Sequence, residues 1–279
     1  VIAATAEIWI EAGTATIGDD HHYPEERPAH TVEIAGFWID VHPVTNLQFA
    51  AFVDATGYTT DAERDGGNVF VASNTPVDLS RPSLWWQHDR RAHWRRPHGA
   101  DLLDAEHDDH PVVQVTRRDA IAYATWVHRR LPTEAEWEWA AAAVEPLPPS
   151  WPLAADGQLL ANVWLGEFPW KSLRSRPPGT MPVGSFAPNG NELFDMLGNV
   201  WEWTADEWTA RHYAGASLSP CCSTTDQTAL DAATVKGGSY LCAANYCARY
   251  RPAARHAQPQ REATCHIGFR CARSPSPVE

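Results

Sequence analysis

Basic residues are in short supply: 22 Lys and Arg stand against 35 Asp and Glu, a formal net charge of −13. A surface of that sign repels phosphate backbones and anionic headgroups, which argues against nucleic acid or a membrane as partner. Long apolar runs are missing too. None approaches the roughly 18 residues of a membrane span, and the start Val1-Ile2-Ala3-Ala4 lacks a basic flank and is too short for a signal-peptide core. These absences predict a soluble, cytoplasmic protein. Six cysteines are too few for a disulfide-built secreted scaffold, and all lie between Cys221 and Cys271, a clustering that points to local chemistry. No 20–50-residue repeat and no Pro/Gly/Ser linker divides the hydrophobic pattern, so residues 1–279 are expected to form a single domain.

What is present is 44% hydrophobic content, ample for a large core, with 14 Trp and 22 Pro. That mixture predicts many irregular loops pinned by large aromatic anchors, most of the tryptophans serving as core. Three segments, Thr45-Asn46-Leu47-Gln48, Thr116-Arg117-Arg118-Asp119 and Thr133-Glu134-Ala135-Glu136, put a hydroxyl at a helix N-cap and an acid or amide three residues on. Helices are predicted to about Thr56 with Phe49, Phe52 and Val53 inward, to about His128 with Ile121, Ala124 and Thr125 inward, and over Glu134 to Ala143. Short strands are expected at Thr31 to Asp40, Pro111 to Val115, Pro182 to Phe186, Thr234 to Gly237 and Ile267 to Ala272. The rest reads as loop. The fold class is therefore α+β with low regular secondary structure, a composition in which bound ions often help order loops.

The His-rich pieces His21-His22 and His107-Asp108-Asp109-His110 lack a third ligand at helical spacing and read as solvated loops. The sharpest constellation is Gly237-Gly238-Ser239-Tyr240-Leu241-Cys242 followed by Ala243-Ala244-Asn245-Tyr246-Cys247-Ala248-Arg249-Tyr250-Arg251. Two thiols after a Gly-Gly turn can converge on one soft ion, and two thiolates without His or carboxylate suit Cu(I) better than structural zinc, which wants four ligands. From the spacing alone, a local Cys242–Cys247 disulfide or two buried free thiols are at least as good a reading.

The sequence resembles the formylglycine-generating enzymes, or sulfatase-modifying factors, along nearly its whole length. The likeness rests on Gly13 to Gly18, Pro43-Val44-Thr45-Asn46, Thr56-Gly57-Tyr58, His110-Pro111-Val112-Val113, Arg130 to Glu138 (RLPTEAEWE), Leu197 to Trp203 (LGNVWEW) and Gly268-Phe269-Arg270. Several of these are scaffold motifs of a wider, C-type-lectin-like superfamily. The Cys242/Cys247 pair marks the catalytic branch. The resemblance implies a copper-dependent oxidase that uses O2 and an external thiol reductant. Its substrate would be the cysteine of a Cys-x-Pro-x-Arg motif in an unfolded sulfatase, which it would convert to formylglycine.

On that resemblance Cys242 and Cys247 are the Cu(I) ligands, with the substrate cysteine as a third thiolate. Ser239 and Tyr246 line the pocket, Trp201 is its wall, and Arg255 is a polar residue near the substrate. Ca2+ is expected at Asp195, Gly198, Val200 and Glu202. A second calcium position begins at Asn162 and Val163, but Lys171 to Pro178 stands where its pattern wants an Asp. Cys271 lacks the disulfide partner found in secreted members, and Cys221, Cys222 and Cys265 are expected to be surface-loop thiols. Two rivals share the scaffold: an iron-dependent sulfoxide synthase, which needs a three-His site from an additional helical domain, and a non-catalytic peptide- or ligand-binding module.

Overall fold

A computed structural model describes residues 6–142, 151–212 and 231–275. Four α-helices are described, α1 (Asn46–Thr56), α2 (Asp61–Asp65), α3 (Arg117–Trp126) and α4 (Glu134–Ala141), and each of these opens on a complete capping box. In α1 the Thr45 hydroxyl accepts from the Gln48 N–H while the Gln48 side chain accepts from the Thr45 N–H. Each box satisfies two end donors and stabilises its helix by about 1 kcal/mol. Helix α2 carries the same signal, Thr60 with Glu63, and sequence reading missed it because only five residues follow. Helix α3 stops at Trp126 rather than His128, and its buried residues are Arg117, Asp119, Ala120, Tyr123 and Ala124. Ile121, expected inward, is 43% exposed, a one-position error in the helical phase.

The strands are β1 (Glu7–Ile10), β2 (Gly13–Ile17), β3 (His30–Ile34), β4 (Phe37–Asp40), β5 (Gly67–Phe70), β6 (Trp86–Asp89), β7 (Gly166–Glu167), β8 (Lys171–Ser172), β9 (Trp201–Glu207), β10 (Ala232–Lys236), β11 (Arg255–Pro259), β12 (Ile267–Gly268) and β13 (Ala272–Arg273). One sheet has the order β1-β4-β13 and another β11-β10-β9-β12, with β12 parallel to β9; β2-β3, β5-β6 and β7-β8 are separate two-stranded antiparallel sheets. The expected strand from Thr31 to Asp40 is two strands, β3 and β4, which break at Ala35-Gly36 and enter different sheets. No strand forms over 111–115 or 182–186; Pro111 only bridges Thr45, and Gln114 takes a positive φ of 58°. Ile267 to Ala272 splits into β12 and β13 around buried Phe269, Arg270 and Cys271.

The main core lies between α1, α3 and the four-stranded sheet. Phe49 meets Phe52, Trp94, Tyr123 and Phe269 at ring-centroid distances of 5.3 to 6.4 Å. No tryptophan is exposed, as the anchor role requires. Strand β10 is buried throughout, and its Lys236 is tolerated because Nζ meets Glu138 Oε2 at 2.8 Å and Glu134 Oε1 at 3.6 Å. Among the described residues no helix is long and apolar enough to cross a membrane.

Candidate active site

The segment from Gly237 to Tyr250 leaves β10 as an irregular loop and doubles back on itself. A Cβ on Gly238, whose φ is 75°, would stand 2.9 Å from the Arg249 carbonyl oxygen, so the two ends of the loop touch only because that position is glycine. Within the loop the Cys242 N–H donates to Ser239 O (2.9 Å) and the Cys247 N–H to Ala243 O (2.9 Å). These two turns bring the Cys242 and Cys247 sulfurs to 3.4 Å as free thiols. That separation is far beyond the roughly 2.05 Å of an S–S bond.

The two sulfurs are not equivalent. Cys242 is buried, and desolvation pushes its thiol well up. A hydrogen bond from Cys242 pulls Cys247 down, and the Arg249 guanidinium adds to this, with Nη1 3.8 Å from the Cys247 sulfur. Arg249 is itself fixed by Glu25 and lies over the Tyr23 ring at 3.8 Å. Sequence reading assigned it no role, although a cation two residues after a thiol was a usable signal.

The thiol pair opens into a cavity of about 260 Å³. Trp201, Ser239 and Tyr246 line it as expected, and Trp85, Trp86, Phe168, His256, Glu262 and His266 are among the other residues of its wall. Tyr246 stacks on Phe168 at 4.7 Å and 5°, with Trp85 edge-on at 5.4 Å. Burial pushes His266 down to about 3, so it is neutral. Among the described residues Glu262 is the single carboxylate of the wall and Arg249 its single Arg or Lys. Trp85, Trp86 and Phe168 come from segments far from the cysteine loop in sequence, and nothing local marks them.

Arg255 corrects the expectation drawn for it. It is 1% exposed and lies outside the cavity lining. Its Nε meets Glu134 Oε1 at 2.7 Å, and Nη1 donates to the Glu25 and Thr209 carbonyls. On β11 alternate side chains face opposite ways, so His256 takes the cavity side and Arg255 the ion cluster with Glu134 and Lys236. Cys265 is likewise no surface thiol: it is 1% exposed and accepts from the Phe70 N–H and the Tyr240 hydroxyl. Cys221 and Cys222 lie outside the described residues. His110, read as solvated, is buried with Nδ1 2.8 Å from Thr180 Oγ1. His22 does have neighbours, Asp19 and Glu26, but Arg251 already pairs with both carboxylates, at 3.7 and 2.7 Å.

The donor set at the cysteines fits a soft, low-coordinate ion: two convergent sulfurs and an open cavity on the remaining side. The Asp195 position fits calcium less fully. Asp195 is buried, its Oδ2 accepts from the Gly184 N–H at 2.8 Å, and desolvation pushes it up to about 6. Glu202, however, is not an uncompensated charge. Both oxygens accept from Arg270, at 2.7 and 2.8 Å, and Oε2 also accepts from Trp137 Nε1 at 2.8 Å. At the second position a guanidinium, that of Arg174, binds Asn162 Oδ1 and approaches the Val163 carbonyl at 3.4 Å, and calcium does not fit.

Residues 2–275 match the family described as the Sulfatase-modifying factor enzyme 1-like domain. The chain is 45% identical to a formylglycine-generating enzyme of Mycobacterium tuberculosis, over 95% of this chain and 97% of that protein. It is 43% identical to one of Thermomonospora curvata, over 98% and 94%. Among solved structures PvdO from Pseudomonas aeruginosa superposes with a TM-score of 0.65 at 24% identity, over 96% of this chain and 94% of that one, a likeness of fold alone. With a thiol pair in a lined cavity on this fold, and sequence identity that runs end to end, the chain belongs to the formylglycine-generating, sulfatase-modifying-factor family.

Proposed function

We propose that this protein converts a cysteine of a sulfatase polypeptide to formylglycine, with Cys242 and Cys247 holding copper(I). The observation that carries the reading is the pair of free sulfurs 3.4 Å apart in the wall of a cavity of about 260 Å³. In the net reaction the cysteine, O2 and two equivalents of an external thiol give the aldehyde, hydrogen sulfide, water and the disulfide of the reductant. Copper(I), when bound, supplies the site at which the substrate thiol and O2 meet. The protein's groups do the rest. Trp85, Trp201 and the Tyr246–Phe168 stack form an apolar wall that excludes water and orients the substrate side chain, and Arg249 holds a positive charge beside Cys247. The free thiols at Cys242, Cys247, Cys265 and Cys271 suit a reducing, cytoplasmic setting. Mass spectrometry of a Leu-Cys-Thr-Pro-Ser-Arg peptide incubated with protein, copper(I), O2 and thiol tests the reading, and absence of aldehyde counts against it.

The arginine of that peptide finds its complement in Glu262, which among the described residues has no basic side chain in ion-pair contact and only a 3.4 Å contact with Asn68 Nδ2. Glu262→Gln is expected to raise KM for the peptide about fivefold, the upper end for an exposed ion pair, and to leave a citrulline analogue unaffected. Equal effects on both peptides would remove Glu262 from recognition.

We also propose a calcium ion at Asp195 with the Gly198 and Val200 carbonyls, the Glu202 charge being shared with Arg270. A cation there relieves a carboxylate that burial disfavours, and stabilises the fold by about 2–4 kcal/mol at saturation. Chelation is expected to lower the melting temperature, and Asp195→Ala to abolish that sensitivity. Superimposable melting curves with and without chelator would exclude this ion.

A further inference from the structure

We infer that Arg174 is a built-in cation that replaces calcium at the Asn162–Val163 position and makes this loop independent of the ion. The inference needs neither copper nor the proposed reaction; it rests on the contacts of one guanidinium. Its Nη1 donates to Asn162 Oδ1 and, at 3.4 Å, to the Val163 carbonyl, and Nη2 meets Met181 Sδ at 3.1 Å. The oxygens are neutral, hard donors of the kind a calcium ion gathers from a loop. Among the described residues no acidic side chain pairs with Arg174, and Arg176 adds a like charge. A half-buried guanidinium in that company does the work of a metal: it satisfies carbonyl and amide oxygens that would otherwise face one another. It also repels a divalent cation from the same place.

The strut matters because of what it braces. The Asn162 amide donates to Asn199 Oδ1 at 3.0 Å, and the Asn199 N–H returns to the Asn162 carbonyl at 2.8 Å. Two residues on, the Trp164 N–H donates to the carbonyl of Cys242 at 3.0 Å. Arg174 therefore holds the strip of backbone that backs one thiol of the active site and enters β9 through Asn199.

Calorimetric titration with calcium in an Asp195→Ala background isolates this position from the one at Asp195. No bound calcium is expected there, and one equivalent would overturn the inference. In the same background Arg174→Asp, which exchanges the cation for a carboxylate, is expected to bind one calcium and to melt several degrees lower in chelator than in calcium. Arg174→Ala is expected to lower the melting temperature to the same extent with and without calcium; parental stability in Arg174→Ala would show that the strut carries nothing. If the parent binds no calcium at all, the Asp195 proposal fails while the gain of an ion in the aspartate variant still supports Arg174.

Discussion

Cys242→Ser and Cys247→Ser are each expected to weaken copper(I) binding on the order of a thousandfold, about 4 kcal/mol, and to abolish turnover. A serine hydroxyl at either place stays protonated and is a hard donor, so it fails on both counts that make a thiolate a ligand for a soft ion. Because the two sulfurs lie 3.4 Å apart and act as a pair, removing either is expected to cost as much as removing both. Cys265→Ser serves as a demanding control. Its sulfur is buried and accepts two hydrogen bonds, so stability should fall while copper stoichiometry and turnover by the folded fraction persist. Cys221→Ser and Cys222→Ser are expected to change neither. A disulfide between Cys242 and Cys247 would close only a short loop and stabilise by roughly 2–3 kcal/mol at most, so reductant should leave the fold intact. The deciding measurement is turnover by fully reduced protein against added copper. Turnover that ignores copper, or that survives in either serine variant, would end the mechanism.

Arg255→Ala is expected to destabilise the protein by about 3–5 kcal/mol, read from the urea midpoint. Glu134, Glu138, Lys236 and Arg255 form a cluster with almost no solvent contact, in which two carboxylates face two cations. Desolvation raises the carboxyl of Glu134, but Lys236 and Arg255 outweigh it and hold Glu134 below its usual range. Truncating Arg255 leaves an uncompensated buried carboxylate and two backbone carbonyls, those of Glu25 and Thr209, without a donor. Turnover per folded molecule should stay near the parent's. A variant of unchanged midpoint but reduced kcat/KM would return Arg255 to the substrate.

Local sequence determined the features that depend on short-range physics. Thr45, Thr116 and Thr133 announced their helices because a capping box closes within four residues. The position of the thiol pair was legible for the same reason, since five residues of chain and a Gly-Gly turn set how far apart Cys242 and Cys247 can be. The likeness to the family also pointed to Trp201, which lines the cavity. Tertiary structure decided whatever depends on which side of an element faces which neighbour. Strand β11 turned Arg255 into an ion cluster and His256 into the cavity, an alternation that the sequence alone could have assigned either way round. Burial of Cys265 and His110 came from packing against segments far along the chain, Phe70 and Thr180 respectively. Arg270 took the charge of Glu202 across 68 residues, and Arg174 took the place of an ion at Asn162. Charges are visible in a sequence; the partner that neutralises each one is fixed only when the chain has closed around it.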